Sequence, residues 1–80
     1  MGEVGKLILA TIERKCLIRR RVIRSIGVSS QLFRDILIGR RQIPFARFED
    51  FATALGLDEE ERRALIEADF TDRRTRRRAA

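Results

Sequence analysis

Histidine is absent from these 80 residues, and cysteine occurs once, at Cys16. A cysteine–histidine zinc site, a Ser-His-Asp or Cys-His triad and any intramolecular disulfide are thereby excluded. The expectation is a protein that is not an enzyme and carries no metal or cofactor. Long apolar runs are missing as well. The longest near the start, Leu7-Ile8-Leu9-Ala10, is far below the roughly 20 residues that a membrane span needs, and no signal-like segment accompanies it. With no disulfide framework, the chain is expected in a reducing compartment, the cytoplasm. Met1-Gly2 is not a myristoylation start, because Lys6 stands where serine or threonine is required. So small a domain buries only roughly 60 to 65% of its unfolded surface, which leaves no room for an effector pocket of ordinary size.

What is present is 44% hydrophobic and 38% charged residues, enough apolar mass for a core and enough charge for a soluble surface, so the chain is expected to fold. A net charge of +6 on one small domain is the footprint of a polyanion binder. Its distribution is uneven. Residues 1–48 hold 11 basic and 3 acidic residues, residues 49–72 hold 2 and 9, and residues 73–80 hold 5 and none. All but two of the 18 basic residues are arginine, whose planar fork suits phosphate and guanine edges. A generic solvated surface written in an arginine-rich coding style has the same composition.

Helical spacing accounts for the remainder of the pattern. Val4, Leu7/Ile8, Thr11/Ile12 and Lys15/Cys16 predict a first helix over residues 4–15, with Cys16 as a small buried residue. Leu17, Val22, Ile23 and Ile26 continue helical spacing, with Arg19, Arg20, Arg21 and Arg24 on the outward side. Gly27 then provides a left-handed stop and Ser29 an N-cap. A third helix over residues 30–38 turns Phe33, Ile36 and Leu37 inward until Gly39 ends it. Pro44 is expected to open a fourth, carrying Phe45, Phe48, Phe51/Ala52 and Leu55 to Gly56. Asp58 and Glu61 have capping-box spacing before a fifth helix with Leu65, Ile66 and Phe70 as its stripe. All five phenylalanines, Phe33, Phe45, Phe48, Phe51 and Phe70, are expected in the core. The fold class is all-α: about five helices over residues 1–70, followed by an arginine-rich tail over residues 71–80.

Val22, Ile26, Gly27, Val28, Phe33 and Ile36 have the spacing of a helix-turn-helix. The stretch GVSSQLFRDILIGRRQIP at residues 27–44, followed by FATALGL at residues 51–57, resembles the lambda repressor and Cro-like family, also called the xenobiotic-response-element family, over roughly residues 7–70. Where that family has a serine or threonine cap on the second helix and a small residue five positions into the motif, this chain has Ile18 and Ile23. The resemblance implies a bacterial, phage or plasmid regulator, a dimer, with the helix after the turn in the major groove of double-stranded DNA.

On that reading Ser30, Gln31 and Arg34 hold the base-contacting positions, since glutamine pairs with adenine and arginine with guanine; a solvated helix face is the plainer alternative. Leu32 is expected as an exposed apolar neighbour, facing a thymine methyl, the core or a second chain. Arg19, Arg20, Ser29, Arg40 and Arg41 are the phosphate-contacting candidates. Leu65, Ile66 or Phe70 would supply a homodimer surface. The tail is expected to be mobile and either to neutralise phosphates, to stay idle, or to fold back on the acidic fifth helix. The functions in competition are a repressor, an antitoxin or accessory interaction factor, and an RNA-binding regulator; a membrane role is disfavoured because the apolar residues are needed for a core.

Overall fold

The computed structural model describes residues 2–79, with side chains described for residues 2–75. Five α-helices follow in order, α1 (Glu3–Arg14), α2 (Arg19–Ile26), α3 (Ser30–Leu37), α4 (Phe48–Ala54) and α5 (Glu59–Ala79), with a short 3-10 turn (Phe45–Arg47) before α4. No strand occurs among the described residues. The fold class expected from the spacing of apolar residues is the one observed.

The core gathers one face of every helix. Val4 and Ile8 of α1, Val22 and Ile26 of α2, Phe33, Ile36 and Leu37 of α3, Phe51 with Leu55 at the end of α4, and Leu65 of α5 are buried together. At its centre the rings of Phe33 and Phe51 stack, with centroids 6.1 Å apart and planes 11° from parallel. Aromatic pairs of this kind add to area burial, and this one joins α3 to α4.

Glycine ends two helices where the spacing placed it. Gly39 and Gly56 are left-handed (φ 85° and 63°), and each is followed by a residue whose N–H closes the last turn, Arg40 N to Asp35 O at 2.8 Å and Leu57 N to Ala52 O at 2.9 Å. The same motif ends α1 without glycine. Cys16 takes φ 54°, and Leu17 N reaches Ile12 O at 2.9 Å. Cys16 is therefore exposed rather than buried, because the left-handed turn lifts its side chain off the helical face it would otherwise continue. A β-carbon in this region costs roughly 1 to 2 kcal/mol. Cys16→Gly is accordingly expected to raise the thermal midpoint by several degrees, about 4 to 8 °C per kcal/mol for a domain of this size, in a calorimetric scan; a lowered midpoint would show that the strain is absorbed elsewhere.

The two ends of the chain are tied together. Asp72 accepts Glu3 N at 2.8 Å through Oδ1 and Val4 N at 3.0 Å through Oδ2, serving as the N-cap that Gly2 cannot provide. A β-carbon on Gly2 would lie 2.6 Å from Asp72 Oδ2, so glycine is what lets the carboxylate approach. Asp72→Ala is expected to cost about 1 kcal/mol, the usual worth of a lost N-cap, in urea unfolding. An unchanged midpoint would remove the clamp from the stability of the fold.

A first correction concerns the reading of the fifth helix. Leu65 and Asp69 are buried and Asp72, one turn on, reaches α1, while Ile66 and Phe70, a hundred degrees around, are left exposed. The segment expected to be a mobile tail continues α5 as helix to Ala79; Arg73 Nε donates to Asp69 Oδ2 at 2.7 Å. The side chains of residues 76–80, on which most of the tail expectation falls, lie outside the described set. A second correction concerns Pro44. Its ψ of 134° is extended, and α4 starts four residues later because Ile43, fully buried, takes the core position. Phe45 is turned out to 90% exposure.

The capping box is present and reciprocal, with Glu61 N to Asp58 Oδ1 at 2.8 Å and Asp58 N to Glu61 Oε1 at 3.0 Å. Glu61 also receives Lys15 Nζ at 3.0 Å and pairs with Arg14, joining the end of α1 to the start of α5. The Asp58 backbone N–H first, and then Lys15, hold the Glu61 carboxyl below its ordinary value. A lowered folded-state value means stability that is present above the unfolded value and lost as pH falls through the folded one. Glu61→Gln keeps the cap geometry and removes the charge; it is expected to flatten the acid limb of a plot of thermal midpoint against pH. Parallel acid limbs would exclude Glu61 as a source of that dependence.

Candidate nucleic-acid interface

Gly27 joins α2 to α3 in a left-handed conformation (φ 80°, ψ 24°), followed by Ser29, whose Oγ accepts Leu32 N at 3.1 Å. That cap uses one lone pair of the hydroxyl and leaves its O–H available to an acceptor outside the protein. Val28 is half-buried against the core. The turn is further braced by a residue that spacing did not reveal: Arg47 Nη1 lies 3.5 Å from Ile26 O and 3.2 Å from Asp50 Oδ2, linking the end of α2 to α4. Only its position in the fold distinguishes it from any other surface arginine.

Ser30, Gln31 and Arg34 are exposed on α3, Ser30 in its first turn, Gln31 on the side away from Phe33 and Leu37 and Arg34 on its flank. Gln31 Nε2 donates to Asp35 Oδ1 at 3.1 Å, which sets the amide plane and leaves Oε1 and the second N–H unused. Leu32 is half-buried and packs on the core, which corrects its expected place as an exposed apolar residue. Its N–H serves the Ser29 cap, and its side chain follows Phe33 inward. Arg40 and Arg41 leave the end of α3 with both backbone N–H groups on Asp35 O, at 2.8 and 3.2 Å, and their guanidinium groups exposed.

The start of α2 runs against local preference. Its N-cap is Ile18, which offers no side-chain acceptor; no acid occupies its first turn; and Arg19, Arg20 and Arg21 stand at the positive end of the helix dipole. Arg19 rests over the Phe33 ring, 5.8 Å from its centroid. Such a terminus leaves backbone N–H groups without a side-chain acceptor, the arrangement in which a helix N-terminus favours an anion.

Ion pairing sorts the basic residues by place. Lys6, Arg14, Lys15, Arg47, Arg62 and Arg73 each pair with an acid. Among the described residues, Arg19, Arg20, Arg21, Arg24, Arg34, Arg40 and Arg41 pair with none, nor do Arg63 and Arg74 of α5, and the single acid between Arg19 and Arg41, Asp35, is engaged by Gln31. Positive charge that is diffuse along the sequence is thus paired on α1 and in the 3-10 turn, paired in part on α5, and left without acidic partners as a block on α2, α3 and the loop after them. All five phosphate candidates and all three base candidates belong to this segment.

No group of three metal-ligating residues occurs among the described residues, and no helix there is long and apolar enough to cross a membrane. Residues 13–65 match the protein family described as a helix-turn-helix domain. No curated protein and no solved structure matches the chain.

Proposed function

Because the chain belongs to the helix-turn-helix domain family, we propose that it is a sequence-specific regulator of transcription that binds double-stranded DNA, of the lambda repressor and Cro-like kind, and represses by occupying a promoter as a dimer. The observation that carries this reading is the block of seven arginines without acidic partners on α2, α3 and the loop that follows. A soluble surface has no need to segregate its charge in this way, and a polyanion rewards it by counterion release.

In the proposed complex α3 lies in the major groove. Ser30, Gln31 and Arg34 face base edges, with the Gln31 amide already oriented by Asp35 to offer one acceptor and one donor to adenine. Arg19, Arg20 and the α2 N-terminus hold one stretch of backbone phosphates; Ser29, Arg40 and Arg41 hold another. The chain then works by binding alone, without catalysis, cofactor or small-molecule effector, in the cytoplasm.

Selection of bound sequences from a random duplex pool tests the proposal, with structured RNA and non-specific DNA as competitors at stated salt. Enrichment of a defined duplex is the expected result. Competition by structured RNA at equal or lower concentration would overturn it in favour of an RNA-binding role.

A further inference from the structure

Three large apolar side chains stand in solvent on one side of the molecule. Phe45 is 90% exposed, Phe70 62% and Ile66 45%, and they rim an open groove of about 600 Å³ between the 3-10 turn with α4 and the middle of α5, floored by Phe48 and Leu65. Isolated exposed apolar residues need no explanation, whereas a contiguous patch edged by polar groups marks a contact surface.

Charge frames this patch and decides what can cover it. On α5, Arg62 and Arg63 stand one turn before Ile66, and Arg73 and Arg74 one turn after Phe70. At one end of the groove Arg62 is paired with Glu49. At the other the positive charge is in excess. Arg73 is paired with the buried Asp69, Arg74 has no acidic partner among the described residues, and the groove continues past Phe45 and Arg73 into a second hollow that Arg40 and Arg41 also line. Glu67 belongs to a different hollow, against α1. Laying α5 on the α5 of a second copy would set arginine against arginine in either direction. A duplex offers phosphates but no bulky apolar group to fill the groove. A bilayer is flat, whereas this surface is concave and has the exposed Glu49 on its rim. What matches both features is a protein segment with bulky apolar side chains and, beyond them, carboxylates.

We propose that the groove takes an acidic amphipathic segment of another protein, its apolar side chains seated among Phe45, Ile66 and Phe70 and its carboxylates on Arg40, Arg41 and Arg74. Arg40 and Arg41 are also phosphate-contacting residues in the proposed DNA complex, so a segment seated there displaces the duplex. That consequence rests on the DNA-binding reading; the docking itself does not. The partner then acts as a counter-regulator that releases DNA from the side, without entering the face of α3.

The docking is tested by selection against the full chain from a displayed library of helical peptides with two fixed leucines one turn apart, using the double variant Phe45→Ser, Phe70→Ser as a parallel target. Both substituted sites are exposed, and a retained helical signal checks the fold of the variant. The expected result is a set of peptides enriched on the wild type and not on the variant, with Asp and Glu well in excess of Lys and Arg. The Kd of such a peptide is expected to rise with salt and to rise about 30-fold on Phe70→Ala, as for a central aromatic anchor. No enrichment over the double variant overturns the docking, and enrichment of neutral or basic peptides overturns the acidic partner. A two-chain mass in sedimentation that falls to one chain in the double variant would give the face to a second copy, and binding to anionic phospholipid vesicles that the double variant loses would give it to a membrane; either result overturns the proposal. An enriched peptide is then added to the complex of the chain with its selected duplex. Release of the duplex near the peptide Kd is expected, and a ternary complex overturns the overlap. Duplex binding without peptide is measured separately: its absence beside clear peptide enrichment sinks the DNA-binding reading and spares the groove, while its presence without enrichment does the reverse.

Discussion

Alanine at Arg34 or Gln31 is expected to weaken binding to the selected duplex by about 1 to 3 kcal/mol, roughly 5- to 150-fold, and to relax the preference at one base pair. The loss follows from geometry. Arg34 is exposed and unpaired on α3, and Gln31 has its amide set by Asp35, so each enters the groove with donors or acceptors already free. Asp35→Ala releases that amide and should blur the same base pair as Gln31→Ala, by less. Arg40→Ala and Arg41→Ala are expected to weaken every sequence alike, each lowering the salt slope by about 1. The measurement is the selected-site profile for each variant beside its isotherms. A profile that survives both Gln31→Ala and Arg34→Ala would mean that α3 does not read bases.

Removal of the ring at the centre of the core should have the largest effect on the fold. Phe33→Ala is expected to cost about 3 to 5 kcal/mol, against about 4 to 12 kcal/mol for the stability of a whole domain of this length. Phe33 is fully buried, stacks on Phe51 and lies beneath Arg19, so its loss opens a cavity, frees α3 from α4 and removes the ring that steadies the first arginine of α2. Phe33→Leu refills much of the volume and should cost far less. Phe45→Ala, at a position 90% exposed, is the matching control, expected to change the stability of a single chain by under about 0.5 kcal/mol. Urea midpoints for the three variants check the ranking; equal losses at Phe33 and Phe45 would misplace the core.

Features that depend on neighbours within about one helical turn were legible in the order of residues. The stops at Gly27, Gly39 and Gly56, the Ser29 cap and the Asp58–Glu61 box are all local in this sense. Together they determined five helices and a helix-turn-helix, since a left-handed residue or a side-chain oxygen acts on backbone groups three or four positions away whatever the rest of the chain does. The candidate base readers were legible for the same reason, as outward positions of a helix whose inward positions are Phe33, Ile36 and Leu37.

Everything that joins distant residues was decided by the tertiary structure. Asp72 caps α1 from 69 positions away, and Leu65 and Asp69 are buried while Ile66 and Phe70 stay outside although their spacing matches a buried stripe. Ile43 takes the core position and Phe45 is left exposed, because the extended backbone at Pro44 breaks the helical spacing that would have turned Phe45 inward. Cys16 takes a conformation that favours glycine, since α1 must end where Lys15 can meet Glu61 and the Gly56 carbonyl. Which arginines lack an acidic partner follows from the same cause: sequence order sets how many there are, but packing brings Glu49, Asp50, Glu61 and Asp69 to some of them and leaves those of α2 and α3, with Arg63 and Arg74, without one.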